Sequence, residues 1–249
     1  MWLVARLECY RLFMSPLAWV LLALVQLLLA YLFLTHIDYF SQVQGQIAAI
    51  PGAPGVTELI VAPLLSNMAI VLLLVTPFIT MRSFAEERRN ESLPLLMTAP
   101  LSVAQIVIGK YLGLLGFFVL LLLLLMLMPL SMLLGSPIDI YQLAAGFIGL
   151  LLLLSSMIAI GIFMSSLTAQ PVIAAVSSFC LLFLLWIIDW AGQSDSAGSN
   201  VFSWLSLISH FEPLLRGEMF SADIIYYLLV STAFLLMTIR RLDSLRVAS

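Results

Sequence analysis

The densest cluster of charged residues lies in one short stretch of the chain. Three charges of each sign lie between positions 82 and 91: Arg82, Arg88 and Arg89 with Glu86, Glu87 and Glu91. Opposite charges at this spacing of three or four residues can pair along one surface of a helix, and unpaired ones can bind a partner. Pro94 and Pro100 disfavour helical geometry at the residue before each of them. The pattern predicts a short amphipathic helix followed by a break around residues 93–100.

A second helix is predicted to start directly after that break. Ser102 and Gln105 match a capping box. In this motif the serine hydroxyl accepts from the amide of the third helical residue, and the side chain of that residue, here glutamine, accepts from the backbone amide of the serine. This helix would run through Lys110 into a long apolar stretch. Gly109 and Gly113 form a pair of small residues four apart, a spacing that permits close approach of another helix.

Three interpretations of residues 82–110 compete. A loop that only supplies positive charge for membrane topology explains the arginines but not the matching glutamates, which contribute little to orientation. A basic lipid-binding patch is disfavoured because residues 82–91 are net neutral. Balanced charge beside exposed apolar residues fits a docking surface for another protein. The apolar residues expected on that surface are Phe84, Leu93, Leu95, Leu96 and Met97.

Other reactive patterns are missing from the sequence. His36 and His210 have neither the spacing of a zinc site nor a recognisable triad partner. The Gly109-Lys110 pair lacks the upstream glycine and the following Ser or Thr of a phosphate-binding loop. No ionisable residue lies near the middle of any long apolar stretch, whereas ion-coupled transporters and proton pumps need such groups. We therefore expect no enzymatic activity and no energy source within this chain.

Composition identifies the solvent of these elements as lipid. Hydrophobic residues make up 63% of the chain and charged residues 9%, against about 25% charged in soluble domains. A membrane span needs about 20 apolar residues. Six stretches meet that length: 17–37, 59–81, 111–134, 143–166, 171–190 and 222–239. We therefore predict an all-α polytopic membrane protein with six transmembrane helices in a single domain over residues 1–249.

The basic residues predict the orientation of the spans. Apart from Arg216, all Lys and Arg residues fall within positions 6–11, 82–110 and 240–246. Basic flanks remain on the cytoplasmic side during insertion. Both termini and the segment 82–110 are therefore expected in the cytoplasm, as an even number of spans requires. The sequence offers no basic surface beyond this topological need, so nucleic acid is not an expected partner.

The first sixteen residues are predicted to form an interfacial helix. Trp2, Tyr10 and Phe13 suit the headgroup region, and Pro16 separates the segment from the first span. An unstructured tail that only sets orientation is the alternative.

Residues 201–211 form an apolar and aromatic stretch that is too short to span a membrane. It should lie in the interface or re-enter the bilayer partway, as a re-entrant or interfacial helix between spans 5 and 6. It would act either as an anchor or as a lid over a pathway, and Ser221 is expected to cap the last span. The residues of such an outer gate would be Phe202, Trp204, His210, Phe211, Glu212, Arg216 and Glu218.

Three motifs resemble the type-2 ABC transporter permease family, in particular the short six-span permeases of the gliding-motility and nitrous-oxide-reductase copper-maturation groups. The most specific is FAEERRNESLPLLMTAPLSVAQIVIGKYLG at Phe84–Gly113, with its acidic–basic run, Leu-Leu pair, proline and Gly-Lys. YRLFMSPLAWV (Tyr10–Val20) and HFEPLLRGEMFSADIIYYL (His210–Leu228) resemble the start of the first span and the outer motif before the last. Two departures stand out: Asn90-Glu91 replaces a glycine-containing turn, and Pro94 stands where an acidic residue is common.

The resemblance implies an exporter permease of the bacterial cytoplasmic (inner) membrane. Its partners would be two ATP-binding subunits, a second identical or related permease and, as an option, another envelope component. ATP and Mg would be bound by the ATP-binding subunits, with no cofactor in this chain. A coupling helix around Ser83–Met97 would contact the ATPase, and Val201–Phe220 would open or close the exit. The implied ATPase-contacting residues are Phe84, Glu86, Glu87, Arg88, Arg89, Glu91, Leu95 and Leu96. A non-transporting membrane anchor that transmits ATP-driven motion to an envelope machine is the alternative.

Overall fold

A computed structural model describes residues 1–47, 55–92, 101–134, 138–192 and 204–248, and these ranges contain helices and turns but no strand. A π-helical turn at Thr57–Val61 precedes α3, and a 3₁₀ turn at Met132–Leu134 follows α5. The helices are α1 (Trp2–Met14), α2 (Pro16–Ile47), α3 (Ala62–Thr80), α4 (Ala85–Arg89), α5 (Val103–Ser131), α6 (Ile140–Leu167), α7 (Pro171–Gly192), α8 (Glu212–Leu215) and α9 (Ser221–Ala248).

Six of the described helical stretches are long and apolar enough to cross a membrane. They are Pro16–Gly45, Thr57–Arg89, Val103–Ser131, Ile140–Leu167, Pro171–Asp189 and Ser221–Arg246. The predicted all-α polytopic architecture with six spans is therefore confirmed. Helices α2 and α9 continue well past the ends of the predicted spans 17–37 and 222–239. Hydropathy marks where a helix leaves hydrocarbon, whereas its backbone hydrogen bonds can continue through polar residues in water.

Local signals account for several of the helix boundaries. The predicted capping box is present: the Gln105 amide donates to Ser102 Oγ and the Ser102 amide donates to Gln105 Oε1, both at 3.2 Å. Pro16 begins α2 directly after Ser15 ends α1, so the predicted separation is confirmed. The fourth and fifth spans are joined by a short connection from Leu167 to Pro171. Ser221, expected to cap the last span, is instead the first residue of α9.

The centre of the bundle is α6. Burial inside the bundle reaches 67% of the most apolar part of α6, against 22% for α2 and 28% for α7 and for α9. The outer helices direct large apolar side chains such as Leu27, Leu184 and Leu236 away from the bundle. These side chains are suited to contact with lipid, which replaces water as the solvent of a membrane-spanning surface.

The two ends of the bundle have different structures. We define the Lys110 end as the one that carries α1, α4, the start of α5 and the α6–α7 turn. The His210 end carries α8 and the described part of the outer segment, Trp204–Phe220. Because the chain crosses between the ends an even number of times, α1 and the last turns of α9 belong to the same end.

Helix α1 packs closely against α5 at the glycine pair. A Cβ built at Gly113 would lie 2.8 Å from the carbonyl oxygen of Ala5, and one at Gly109 would lie 2.8 Å from Val4 Cβ. The predicted close helix approach is therefore confirmed, and α1 is its partner. The opposite side of α1 exposes an apolar stripe at helical spacing, which fits a helix in the membrane interface: Leu3, Leu7, Tyr10 and Met14.

Gly113→Ala tests this contact. The added methyl group would force the α1 backbone away from α5, so we expect a loss of about 1–3 kcal/mol of stability. Gly116→Ala is the matched control, because a Cβ there meets nothing within 4 Å and alanine is favoured over glycine in a helix by about 0.5–1 kcal/mol. Thermal unfolding in detergent would measure both, and equal midpoints for the two variants would contradict the packing.

Candidate functional site

The Lys110 end is organised around the buried ammonium group of Lys110. The side chain is 2% exposed, and its Nζ donates to Glu87 Oε1 at 2.6 Å, to the Ser83 carbonyl at 2.8 Å and to Glu8 Oε2 at 3.3 Å. The Phe84 ring covers the group, with its centroid 5.1 Å from Nζ. An ammonium has three donors, and here all three have an acceptor. A buried charge is stable in a protein when all its hydrogen-bond donors have partners in this way.

The carboxylates around Lys110 bring three separate elements together. Glu8 comes from α1, Glu86 and Glu87 from α4, and Lys110 from α5. Arg11 of α1 adds a second cation, 2.8 Å from Glu86 Oε2 and 3.8 Å from Glu87 Oε1. We refer to these five residues as the charge cluster. The buried Lys110 ammonium of α5 pairs with Glu87 of α4. Helix α4 therefore cannot leave α5 without leaving these charges unpaired.

A second set of contacts holds α4 on its other side, against the end of α6. The hydroxyl oxygen of Ser165 accepts from the amides of Phe84 and Ala85, each at 3.0 Å, and the hydroxyl donates to the Met81 carbonyl at 2.9 Å. The Arg88 guanidinium donates to the Ser166 carbonyl at 2.8 Å. Helix α4 is therefore attached to α1 and α5 on one side and to α6 on the other.

The predicted helix around Ser83–Met97 is shorter than expected in the described residues. Only Ala85–Arg89 is helical, with turns at residues 81–84 and 90–91. Glu91 has φ +54°, a left-handed conformation that ends helices and that glycine usually adopts. This residue belongs to the Asn90-Glu91 departure from the glycine-containing turn of the family motif. The predicted contact residues Leu95 and Leu96 lie outside the described residues, as do Leu93 and Met97.

Two expectations about α4 were wrong. Phe84 was expected on an exposed docking surface but is fully buried, because it covers the Lys110 ammonium. The glutamates were expected to pair along the helix, yet Glu86 pairs with α1 and Glu87 with α1 and α5. The inward-facing charges are thus used inside the protein. The exposed residues around α4 form what we call the α4 surface: Arg82, Arg89, Asn90 and Glu91.

At the His210 end, the described part of the outer segment has helical residues at 204–205, turns at 207–211 and the short helix α8. Residues 201–203 of the predicted element lie outside the described residues. Leu207, Phe211 and Leu214 are buried. A Cβ at Gly149 would lie 3.0 Å from Leu214 Cβ and 3.2 Å from Phe211 Cε2. Gly149 is nine residues into α6, so the segment reaches about 13 Å along that helix at 1.5 Å per residue. Phe202, predicted as a gate residue, lies outside the described residues.

His210 attaches the outer segment to α9. Its Nδ1 lies 2.6 Å from Asp223 Oδ1, its Nε2 lies 3.0 Å from the Trp204 carbonyl, and its ring stacks on Tyr226 at 4.0 Å between centroids. The two ring nitrogens thus face a carboxylate oxygen of α9 and a backbone carbonyl oxygen of the outer segment, both of which are acceptors. Tyr226 and Tyr227 add hydroxyl donations to the carbonyls of the segment, both at 2.7 Å.

Further contacts join the outer segment to α6 and α7. Gln142 Nε2 donates to the Leu215 carbonyl at 2.8 Å. Ser209 donates to Asp189 of α7. Gly217, with φ +85°, turns the chain beside Gln142 in a conformation that a side chain would strain.

The predicted outer-gate residues divide into two groups. His210 and Phe211 are anchors within the protein. The others that the structure describes are exposed: Trp204, Glu212, Arg216 and Glu218. Among these, Arg216 lies 3.7 Å from Glu212 on the surface.

Sequence reasoning missed Glu8, Ser165 and Asp223. Glu8 had a usable signal, since it is the only acidic residue in the first 37 positions. Ser165 had none, because its partners lie about 80 residues away. In the described ranges, no group of three or more His, Cys, Asp or Glu side chains could hold a metal ion.

Comparison with known families adds an independent observation. Residues 39–239 match a protein-family model described as ABC-2 family transporter protein. The matched range contains α4, Lys110 and the outer segment, whereas α1 with Glu8 and Arg11 precedes it. No individual curated protein matches the chain.

Lys110→Met tests the charge cluster. The substitution would leave Glu8 buried without a cation and Glu87 with only the more distant Arg11 at 3.8 Å, and loss of one partner of a buried pair costs about 3–5 kcal/mol. We expect a lower thermal midpoint in detergent, partly recovered when Glu8→Gln and Glu87→Gln are added. Arg89→Met, on the exposed surface, should change little. A Lys110→Met protein as stable as the unmodified chain would exclude the cluster as a structural requirement.

His210→Phe tests the attachment of the outer segment. Phenylalanine can keep the stacking on Tyr226 but removes the ring nitrogens that face Asp223 and the Trp204 carbonyl, at a cost of about 1–3 kcal/mol. Trypsin should then cut at Arg216 at least about fivefold faster, which mass spectrometry of the fragments would measure. His36→Phe is the control, since His36 hydrogen-bonds Asn67 between α2 and α3. Equal cleavage rates in the two variants would show that His210 does not restrain the segment.

Proposed function

The chain belongs to the ABC-2 transporter family and is a membrane-spanning permease component of an ABC transporter, and on this premise we propose that it is an exporter subunit driven by separate ATP-binding subunits. Two such ATPases would bind ATP and Mg, and a second permease, identical or related, would complete the pathway. The observation that carries the proposal is the attachment of α4 to the bundle on two sides while its remaining charges face outward.

The proposed orientation places the Lys110 end in the cytoplasm of a bacterium, at its inner membrane. The basic clusters at positions 6–11, 82–110 and 240–246 all belong to this end. Such residues are enriched on the cytoplasmic side of membrane proteins. This orientation brings α4 to the compartment where ATP-binding subunits would be available, and both ends of the described chain lie there too.

In this proposal the ATPase would bind the α4 surface and displace it during the ATP cycle. Exposed charges such as Arg89 and Glu91 would guide the partner and select it. The inward charges would not contact the partner, since Glu87 and Lys110 are paired with each other. Because separation of the charge cluster would leave buried charges unpaired, α1, α4 and the start of α5 would move together.

The outer segment would act as the exit gate of the same cycle. Side chains such as those of His210 and Gln142 attach it to helices α9 and α6. In this proposal some of these contacts would break and re-form during the cycle, since the elements that move in a protein are drawn from its less stable parts. The alternative function, a membrane anchor that only transmits motion, would share the α4 surface but would show no flux across vesicles.

Exchange of charges on the α4 surface tests the ATPase contact. In Arg89→Glu/Glu91→Arg the local pattern is inverted at constant net charge, so each substituted side chain would meet a like charge on the partner. Because such like-charge contacts cost several kcal/mol, we expect loss of at least about 90% of the bound ATP-binding subunit. The tagged chain would be purified from its host, with the subunit identified by mass spectrometry and by ATP hydrolysis of the complex.

Arg216→Glu/Glu218→Arg provides the matched control for that exchange. It inverts the same kind of exposed pair at the His210 end and should leave the complex intact. Equal loss in both variants, or retention of the ATPase by the α4 variant, would contradict the assignment of the α4 surface. Flux of cargo into vesicles containing the intact complex would then separate export from mechanical transmission.

A further inference from the structure

We propose that α6 carries motion from α4 to the outer segment, and that Ser165 is the positioning residue that fastens α4 to it. The inference rests on the proposed function, in which α4 is moved by an ATPase. It adds the route by which that movement reaches the opposite end. The alternative route is the direct chain connection from α4 back into α3.

Ser165 supplies the cap that α4 lacks. The first amides of a helix have no partner within it, and the residue preceding α4, Phe84, makes no capping hydrogen bond with its side chain. The Ser165 hydroxyl of α6 accepts from the Phe84 and Ala85 amides instead. Ser165 is fully buried, so water cannot substitute for it.

Arg88 completes the joint in the opposite direction. The last carbonyls of α6 have no amide partner within that helix, and cations near a helix C-terminus are favourable. The Arg88 guanidinium of α4 donates to one of them, the Ser166 carbonyl. Each helix thus provides a hydrogen-bond partner for unpaired backbone groups at one end of the other helix. Separation of α4 from α6 would leave polar groups of both helices unsatisfied in a buried region.

The far end of α6 is joined directly to the outer segment. Gly149 receives Leu214 and Phe211 at close range, and Gln142 donates to the Leu215 carbonyl. From Ser165, these positions lie about 24 Å and about 35 Å along the helix at 1.5 Å per residue. One helix therefore contacts both α4 and the proposed gate.

Helix α6 is also better suited to transmit displacement than its neighbours. It contains no proline, whereas α3 has Pro77 shortly before the turn to α4 and α5 has Pro129 near its far end. A proline inside a helix removes a hydrogen bond and allows bending there. The direct route through α3 therefore has a proline-interrupted hydrogen-bond ladder close to α4, and α6 contains no proline.

The test measures the response of the outer segment to ATP at one site. The full chain, with Cys9→Ser, Cys180→Ser and Glu218→Cys, would be assembled with its ATP-binding subunit in vesicles. Reaction of position 218 with a membrane-impermeant maleimide would be followed with and without ATP and vanadate. We expect ATP to change the rate, and Ser165→Ala to reduce that change about fivefold or more, the factor that corresponds to loss of a helix cap.

Ser166→Ala is the matched control. Ser166 is the next residue and equally buried, but its hydroxyl donates only to the Phe163 carbonyl within α6. Its backbone contact with Arg88 would remain. We expect this variant to respond to ATP like the unmodified chain, and the amount of assembled complex and its ATP hydrolysis would be measured for each variant.

The outcomes separate this inference from the proposed function. An equal ATP response in Ser165→Ala and Ser166→Ala, at equal assembly, would overturn the role of α6. Absence of any ATP response in the parent chain would instead contradict the proposed function. If Ser165→Ala fails to assemble, Gln142→Ala tests the other end of the same helix, and an unchanged response there would overturn the inference.

Discussion

The burial of one ammonium group constrains the whole Lys110 end. A cation removed from water is stable only where its donors find acceptors, and Lys110 finds them on α1, on α4 and in the turn before α4. These partners are separated from it by between 23 and 102 residues. Close packing of α1 over Gly109 and Gly113 brings Glu8 within reach. The packing of α1 on α5 and the burial of the Lys110 charge therefore depend on each other.

The two ends of the bundle satisfy the polar groups of their non-helical backbone in different ways. Backbone that leaves helical geometry near lipid must have its polar groups satisfied by the protein. At the Lys110 end the turn before α4 is satisfied by Ser165 and by the Lys110 ammonium. At the His210 end, the Tyr226 and Tyr227 hydroxyls of α9 donate to carbonyls of the outer segment, and His210 of the segment itself contacts another. The first solution uses buried charge pairs, whereas the second uses mostly single hydrogen bonds. This difference fits a rigid connection at one end and a movable element at the other.

Local patterns in the sequence predicted local features correctly, whereas contacts between distant residues were not predictable. The six spans, the capping box at Ser102 and the glycine pair follow from composition and short spacings. The positions of Phe84 and Glu87 were misjudged because helical spacing alone could not show that a cation elsewhere would require both. Likewise, the apolar stretch before α9 predicted a short inserted element. Its attachment through His210 and Asp223 needed the three-dimensional fold.

The division of charges on α4 has a consequence for how such a permease can select its ATPase. Glu86, Glu87 and Arg88 contact other helices of the permease itself, so changing them would disturb the connection that we propose transmits force from the ATPase. In the described structure the exposed positions, Arg89 among them, do not take part in that connection, so they can vary with the partner. Exposed charges at an interface affect association rate and specificity more than they affect affinity. Under the proposed function, partner choice and force transmission would therefore change independently within a helix of five residues, because its inward face contacts the charge cluster and the end of α6.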